Sequence, residues 1–187
     1  MRFYVHGRDR PGALDGLLRL AEDHWSYMDR FADRLLLRGP TLSDDGEEHT
    51  GSVHIVDLAD REQAERFAAE EPYGRAGLYS RITVDPVEVL IDRGPDGGPE
   101  APHSLVTGAW TEAPRDPAGA RPPEADDRVA FAAALIDGDP AHTTGIVAAV
   151  RALPEEAVAL VRPLADHLAG GGADITAQRW RRGGRSS

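Results

Sequence analysis

Arg2-Phe-Tyr-Val-His-Gly-Arg8 decides the fold of this chain's first half. Phe3 and Val5 fall on one side of the alternation, and Tyr4 and His6 on the other, the period of a strand with one apolar face. Asp9-Arg-Pro-Gly12 then turns the chain. From Ala13 to Ala32 the apolar residues Leu14, Leu17, Leu18, Ala21, Trp25, Met28 and Ala32 recur at helical spacing. Arg34–Leu42 is a second apolar run, broken by Gly39-Pro40, and Ser43–Thr50 reads as a turn or loop. Gly51–Asp57 (GSVHIVD) alternates again, with Val53 and Ile55 set against Ser52, His54 and Val56. Asp60–Glu70 reads as a second helix with Ala64, Phe67 and Ala68 inward, and Arg81–Ile91 as a closing strand.

The resulting order is β-α-β-β-α-β. It predicts an α+β, ferredoxin-like domain over residues 1–91, with an antiparallel sheet and both helices on one face. Phe3, Val5, Val53 and Ile55 are expected to meet the helices, leaving Tyr4, His6, Ser52 and His54 on the opposite face. That face needs a cover: a homodimer partner, or the rest of this chain in a monomer.

Residues 92–127 form a linker rich in Pro, Gly and acid (DRGPDGGPEAP and EAPRDPAGARPPEADD), with a short strand near 104–111. Residues 128–187 form a second, smaller ββαβ unit with a basic tail, Arg179-Trp-Arg-Arg182 and Arg185. Its strands are Val129–Ile136, Thr144–Leu153 and Asp174–Arg182, and its helix is Pro154–Ala169, with Pro163 expected to kink it. This unit is either a degenerate duplication of the first, able to close a barrel against it, or an unrelated cap.

Composition removes whole classes of chemistry. The 187 residues include no Cys, so thiolate catalysis, disulfides and Cys-based metal sites are excluded. They also include no Lys, which excludes a Schiff base and a phosphate-loop lysine. The net charge of −11 argues against nucleic acid as a partner, because such binding needs cations on phosphates. No apolar run reaches the ~20 residues of a membrane span, and no leader pattern is seen, so the expected location is cytoplasmic, without a membrane partner. No dinucleotide fingerprint or Gly-x-Ser-x-Gly is present, and no cofactor is called for.

Several short motifs follow one another in the first unit. They are His24-Trp-Ser-Tyr-Met28, Arg38-Gly-Pro40, Glu71-Pro-Tyr73 and Ala76-Gly-Leu-Tyr79. In this order and spacing the first ~91 residues resemble the YciI-like (YCII-related) family of the dimeric α/β-barrel superfamily. The resemblance implies a site built on a His and an Asp. The His corresponds to His24, while the Asp position holds Glu71, a departure that keeps the carboxylate and lengthens it by one methylene. Members of the family with an assigned reaction handle small, often aromatic or chlorinated, metabolites by proton transfer and elimination.

His24 is then the candidate general acid/base, with Glu71 orienting it as the second catalytic residue. The plainer reading of His24 is a half-buried imidazole bonded to backbone. Tyr4, His6, Arg8, His54 and Tyr73 are candidate substrate-binding residues. His6, His24 and His54 lack HxH or HxxxH spacing, so no metal ligand set is assigned. Three functions stand open. The first is a small-molecule enzyme of secondary metabolism doing isomerisation, elimination, dehydration or cyclisation as a lyase or isomerase. The others are a non-catalytic ligand-binding protein and a cofactor-independent monooxygenase.

Overall fold

The computed structural model describes residues 1–94, 103–114, 123–137 and 139–184. Much of the two linker stretches, together with Arg185, lies outside the described residues. The chain divides into two compact units: Met1–Asp85 with Arg182–Ser187, and Pro86–Arg181.

The first unit follows the expected order. It contains β1 (Arg2–Asp9), α1 (Leu14–Asp29), β2 (Leu35–Leu42), β3 (His49–Asp57), α2 (Arg61–Glu70), the single turn α3 (Pro72–Arg75) and the start of β4 (Tyr79–Asp92). Asp60 caps α2 by accepting the Gln63 N–H at 2.8 Å, a contact that stabilises a helix start by about 1 kcal/mol. β3 lies between β1 and β2, antiparallel to both. The start of β4 is tied to the end of β1, where the Arg10 N–H donates to the Leu78 carbonyl at 2.8 Å and Ser80 Oγ donates to Arg8 and Asp9 carbonyls at 3.2 Å. In the tail, the Gly183 N–H donates to the Arg38 carbonyl of β2 at 2.8 Å.

Register corrects one expectation about the sheet. Phe3 faces Val56 and Val5 faces His54, whereas Tyr4 faces Ile55 and His6 faces Val53. Directly paired residues share a face. The helix side therefore carries Phe3, Val5, His54 and Val56, and Val53 and Ile55 lie on the other side with Tyr4 and His6. Phe3, Val5 and Val56 pack with Tyr27, Met28 and Phe67 in one core. Residues Gly51–Val56 are all buried, so both faces of β3 are covered. A strand buried on both faces does not display its orientation in its own alternation.

α1 also differs in phase. Its buried residues are Leu17, His24, Tyr27 and Met28, while Leu14, Leu18 and Trp25 are exposed. His24 thus lies within the buried stripe. The helix has apolar residues on two faces, and periodicity alone does not choose between them.

The second unit is an antiparallel sheet in the order β8–β5–β7–β6–β4. Its elements are the end of β4, β5 (His103–Pro114), β6 (Val129–Asp137), β7 (Asp139–Val150), α4 (Pro154–Ala169) and β8 (Ile175–Trp180). α4 starts on Pro154 and ends at Gly170, whose φ of 74° is the left-handed conformation that glycine adopts without strain. Its Ala157, Val161, Leu164 and Leu168 pack on Val106, Ala132, Ala134, Ile146 and Ala148 of the sheet. Pro163 lies inside α4 without ending it. The stretch expected as a short strand near 104–111 is β5, between β7 and β8.

Each unit has the same order. In the first, β4 adjoins β1, then come β3 and β2; in the second, β8 adjoins β5, then come β7 and β6. The second unit is a topological repeat of the first with no counterpart of α1 among the described residues. No helix among those residues is long and apolar enough to cross a membrane.

Candidate functional site

A polar cluster occupies the helix side of the first unit, within an otherwise apolar layer. His24 enters it from the third turn of α1. Glu71 enters from the junction between α2 and α3, where Pro72 starts the short helix and Glu71 is its cap. Glu71 Oε1 accepts the Gly74 N–H at 2.7 Å, and Oε2 accepts the Tyr73 N–H at 3.1 Å. The same Oε2 lies 2.9 Å from His24 Nδ1. A carboxylate only accepts, so the Nδ1–H of His24 donates and the Nε2 lone pair is left for another partner. The His24 side chain keeps 10% of its exposure and that of Glu71 keeps 4%. The pair is thus shielded, but the imidazole is not sealed.

The longer Glu side chain therefore reaches both its own helix start and the imidazole. The backbone is shaped to allow this. A Cβ on Gly74 would come 2.5 Å from the Ala68 carbonyl oxygen, so only glycine lets this turn close under the carboxylate.

Tyr73 stacks on His24, with ring centroids 4.2 Å apart and planes 6° from parallel. His54 approaches His24 from β3 at 5.9 Å and meets the edge of Phe67 at 5.7 Å. Burial, then the charges of His24, Arg38 and His6, hold His54 well below the usual imidazole range. It is a neutral neighbour of His24 near neutral pH. Burial and the Glu71 and Asp9 carboxylates push the Tyr73 hydroxyl up to about 12 and Tyr79 up as well, so both remain protonated donors.

His6 and Tyr4 are not part of this cluster. The register places them on the other side of the sheet, which corrects the expectation that His6 and His54 point the same way. There the Tyr4 O–H donates to His6 Nδ1 at 2.8 Å, and burial followed by the Arg8 charge lowers His6 to about 4. Arg8 itself is exposed. Among the described residues no three His, Asp or Glu side chains are grouped so as to hold a metal ion.

The sequence assigns no site role to His49, Ser52 or Tyr79. His49 Nδ1 lies 2.6 Å from Asp9 Oδ2, and its ring meets Tyr73 edge-on at 6.5 Å. Asp9 is expected with Arg8 at the mouth of a cavity after β1, and it continues the Phe3, Val5, Gly7 side of that strand. His49 was hidden because Ser43–Thr50 reads as a polar turn, whereas β3 starts at His49 itself.

Residues 1–88 match the YCII-related domain, and the chain belongs to that family. An uncharacterized protein of Haemophilus influenzae is 30% identical over 98 residues, all of that protein and 49% of this chain. Protein YciI of Escherichia coli O6:H1 is 28% identical over 98 residues, with the same coverage. Among solved structures, the chain is similar to 5-chloro-2-hydroxyhydroquinone dehydrochlorinase of Burkholderia phenoliruptrix AC1100, a structure in complex with 2,5-dihydroxybenzoquinone. The identity is 27% and the TM-score 0.43, covering 46% of this chain and 92% of that one.

Proposed function

We propose that the protein is a small-molecule enzyme that works by proton transfer, with His24 Nε2 as the base and Glu71 as its positioning partner. The observation that carries this reading is the 2.9 Å bond from His24 Nδ1 to a carboxylate that is itself held by two backbone N–H groups. That arrangement fixes the ring and its tautomer and stabilises the imidazolium formed when Nε2 takes a proton. Family membership supports the same histidine and the same carboxylate position. The reactions within reach are isomerisation, elimination, dehydration or cyclisation of a substrate with an activated C–H, and the protein residues alone supply the proton transfers.

The mechanism has two parts. First, Nε2 removes the proton from a carbon beside a carbonyl, and the C–H electron pair moves toward the carbonyl oxygen. Second, the enolate pair returns to form a new C–H bond with the proton held on Nε2, or expels a leaving group while that proton passes to solvent. The Tyr73 ring, flat against the imidazole, limits its rotation and shields one face of it. A general acid/base contributes ~10²–10⁴-fold, the remainder coming from orientation in a partly dry site.

Exchange of α-protons of a small ketone into D2O, followed by NMR, tests the reading. Wild type should exchange above the buffer rate, and His24→Gln should lose at least about 100-fold of that excess. Equal exchange by both proteins would overturn the proposal. A compound that binds both proteins equally without turnover would instead point to a ligand-binding role.

A further inference from the structure

A second imidazole–carboxylate pair also touches Tyr73. Asp9 ends β1 and His49 begins β3. His49 Nδ1 lies 2.6 Å from Asp9 Oδ2, and its Nε2 lies 3.5 Å from Ser52 Oγ. By the argument applied to His24, the Asp9 carboxylate accepts the Nδ1–H and turns Nε2 toward the Ser52 hydroxyl. The Asp9 side chain keeps 8% of its exposure and that of His49 keeps 23%, so solvent can reset the imidazole. Tyr73 links the two pairs, since its ring stacks on His24 and meets His49 edge-on.

Asp9 Oδ1, the other oxygen of this carboxylate, is buried without a hydrogen-bond partner. Buried acceptors rarely remain unmatched, and a ligand hydroxyl that donates to Asp9 Oδ1 satisfies it.

We propose that His49, oriented by Asp9, is the acid that protonates a leaving hydroxyl, so that the site dehydrates a β-hydroxy carbonyl compound. The inference rests on the reading of His24 as the base. His24 Nε2 takes the proton from the carbon beside the carbonyl, and the C–H pair becomes the new C=C bond. The C–O bond at the next carbon breaks with its pair on oxygen. The Nε2–H proton of His49 passes to that oxygen, and water leaves. His24 gains one proton and His49 loses one, and exchange with solvent restores both. No oxidant or reductant is involved.

3-Hydroxycyclohexanone in D2O serves as the probe, because it reads the two proton transfers separately. NMR follows α-proton exchange, and ultraviolet absorbance follows the conjugated enone. Wild type should do both. His49→Gln should slow enone formation at least about 100-fold while exchange falls less than tenfold, and that retained exchange also shows an intact site. Asp9→Asn should slow the same step to a smaller extent, and His24→Gln should lose both. Enone formation by His49→Gln within a few-fold of wild type would overturn the proposal, as would an equal loss of both steps. Exchange without enone formation by wild type would overturn it and leave His24 as the base. Absence of exchange by wild type would overturn both.

Discussion

His6 and His54 are imidazoles held neutral by burial, and this gives the protein an acid weakness that is independent of catalysis. His6 drops from an ordinary 6.5 to about 4 in the folded chain. Between those values the unfolded chain binds more protons than the folded one, so stability rises with pH there. The contribution is fully present above 6.5 and is lost as pH falls toward 4. Over the whole interval the change from His6 is on the order of a few kcal/mol. His54 adds a change of the same sign. Urea midpoints should therefore fall steeply from pH 7 to pH 4.5, and His6→Asn should flatten that slope. Glu71 works in a different way, because three donors converge on its carboxylate. Glu71→Ala should cost roughly 3 kcal/mol in urea unfolding, since it leaves buried donors without an acceptor. The His24–Glu71 pairing was legible in the residues once the family motif was seen. That the extra methylene serves a helix cap as well as the imidazole was not, because it depends on the backbone between Ala68 and Gly74.

At the scale of elements, α1 shows what periodicity leaves open. Leu14, Leu18 and Trp25 repeat at helical spacing as well as Leu17, Tyr27 and Met28 do, yet the first set is exposed and the second buried. Leu17→Ala should cost about 2–5 kcal/mol, whereas Leu18→Ala should stay within about 0.5 kcal/mol, as read from paired denaturation curves. Equal losses would place the helix in the other phase. β3 carries the same ambiguity in a strand, where only the cross-strand pairing Val5–His54 reveals which side bears the histidine. His49 went unread for a related reason. Acid, Gly and Ser before it resemble a turn, and strand pairing with Leu42 extends β3 back into that stretch.

For the whole molecule, two sheets of the same strand order come from halves with little visible likeness. The order of elements was readable from the punctuation of Pro and Gly and from apolar period. β5 was readable only as a fragment, because its neighbours β7 and β8 follow it in the chain by more than 20 residues. Tyr4, His6, Val53 and Ile55, on the other face of the first unit's sheet, are each buried. The sequence alone determined the α+β class, the element order of the first unit and the absence of thiol and lysine chemistry, which depend on residue type and local spacing, while His24 and Glu71 were singled out by the resemblance to a family. Only the tertiary structure decided which side of the sheet each histidine faces, that His49 pairs with Asp9 across 40 residues of chain, and that Tyr73 touches both imidazoles. Register and helix phase are set by packing between distant segments, and no local pattern carries that information.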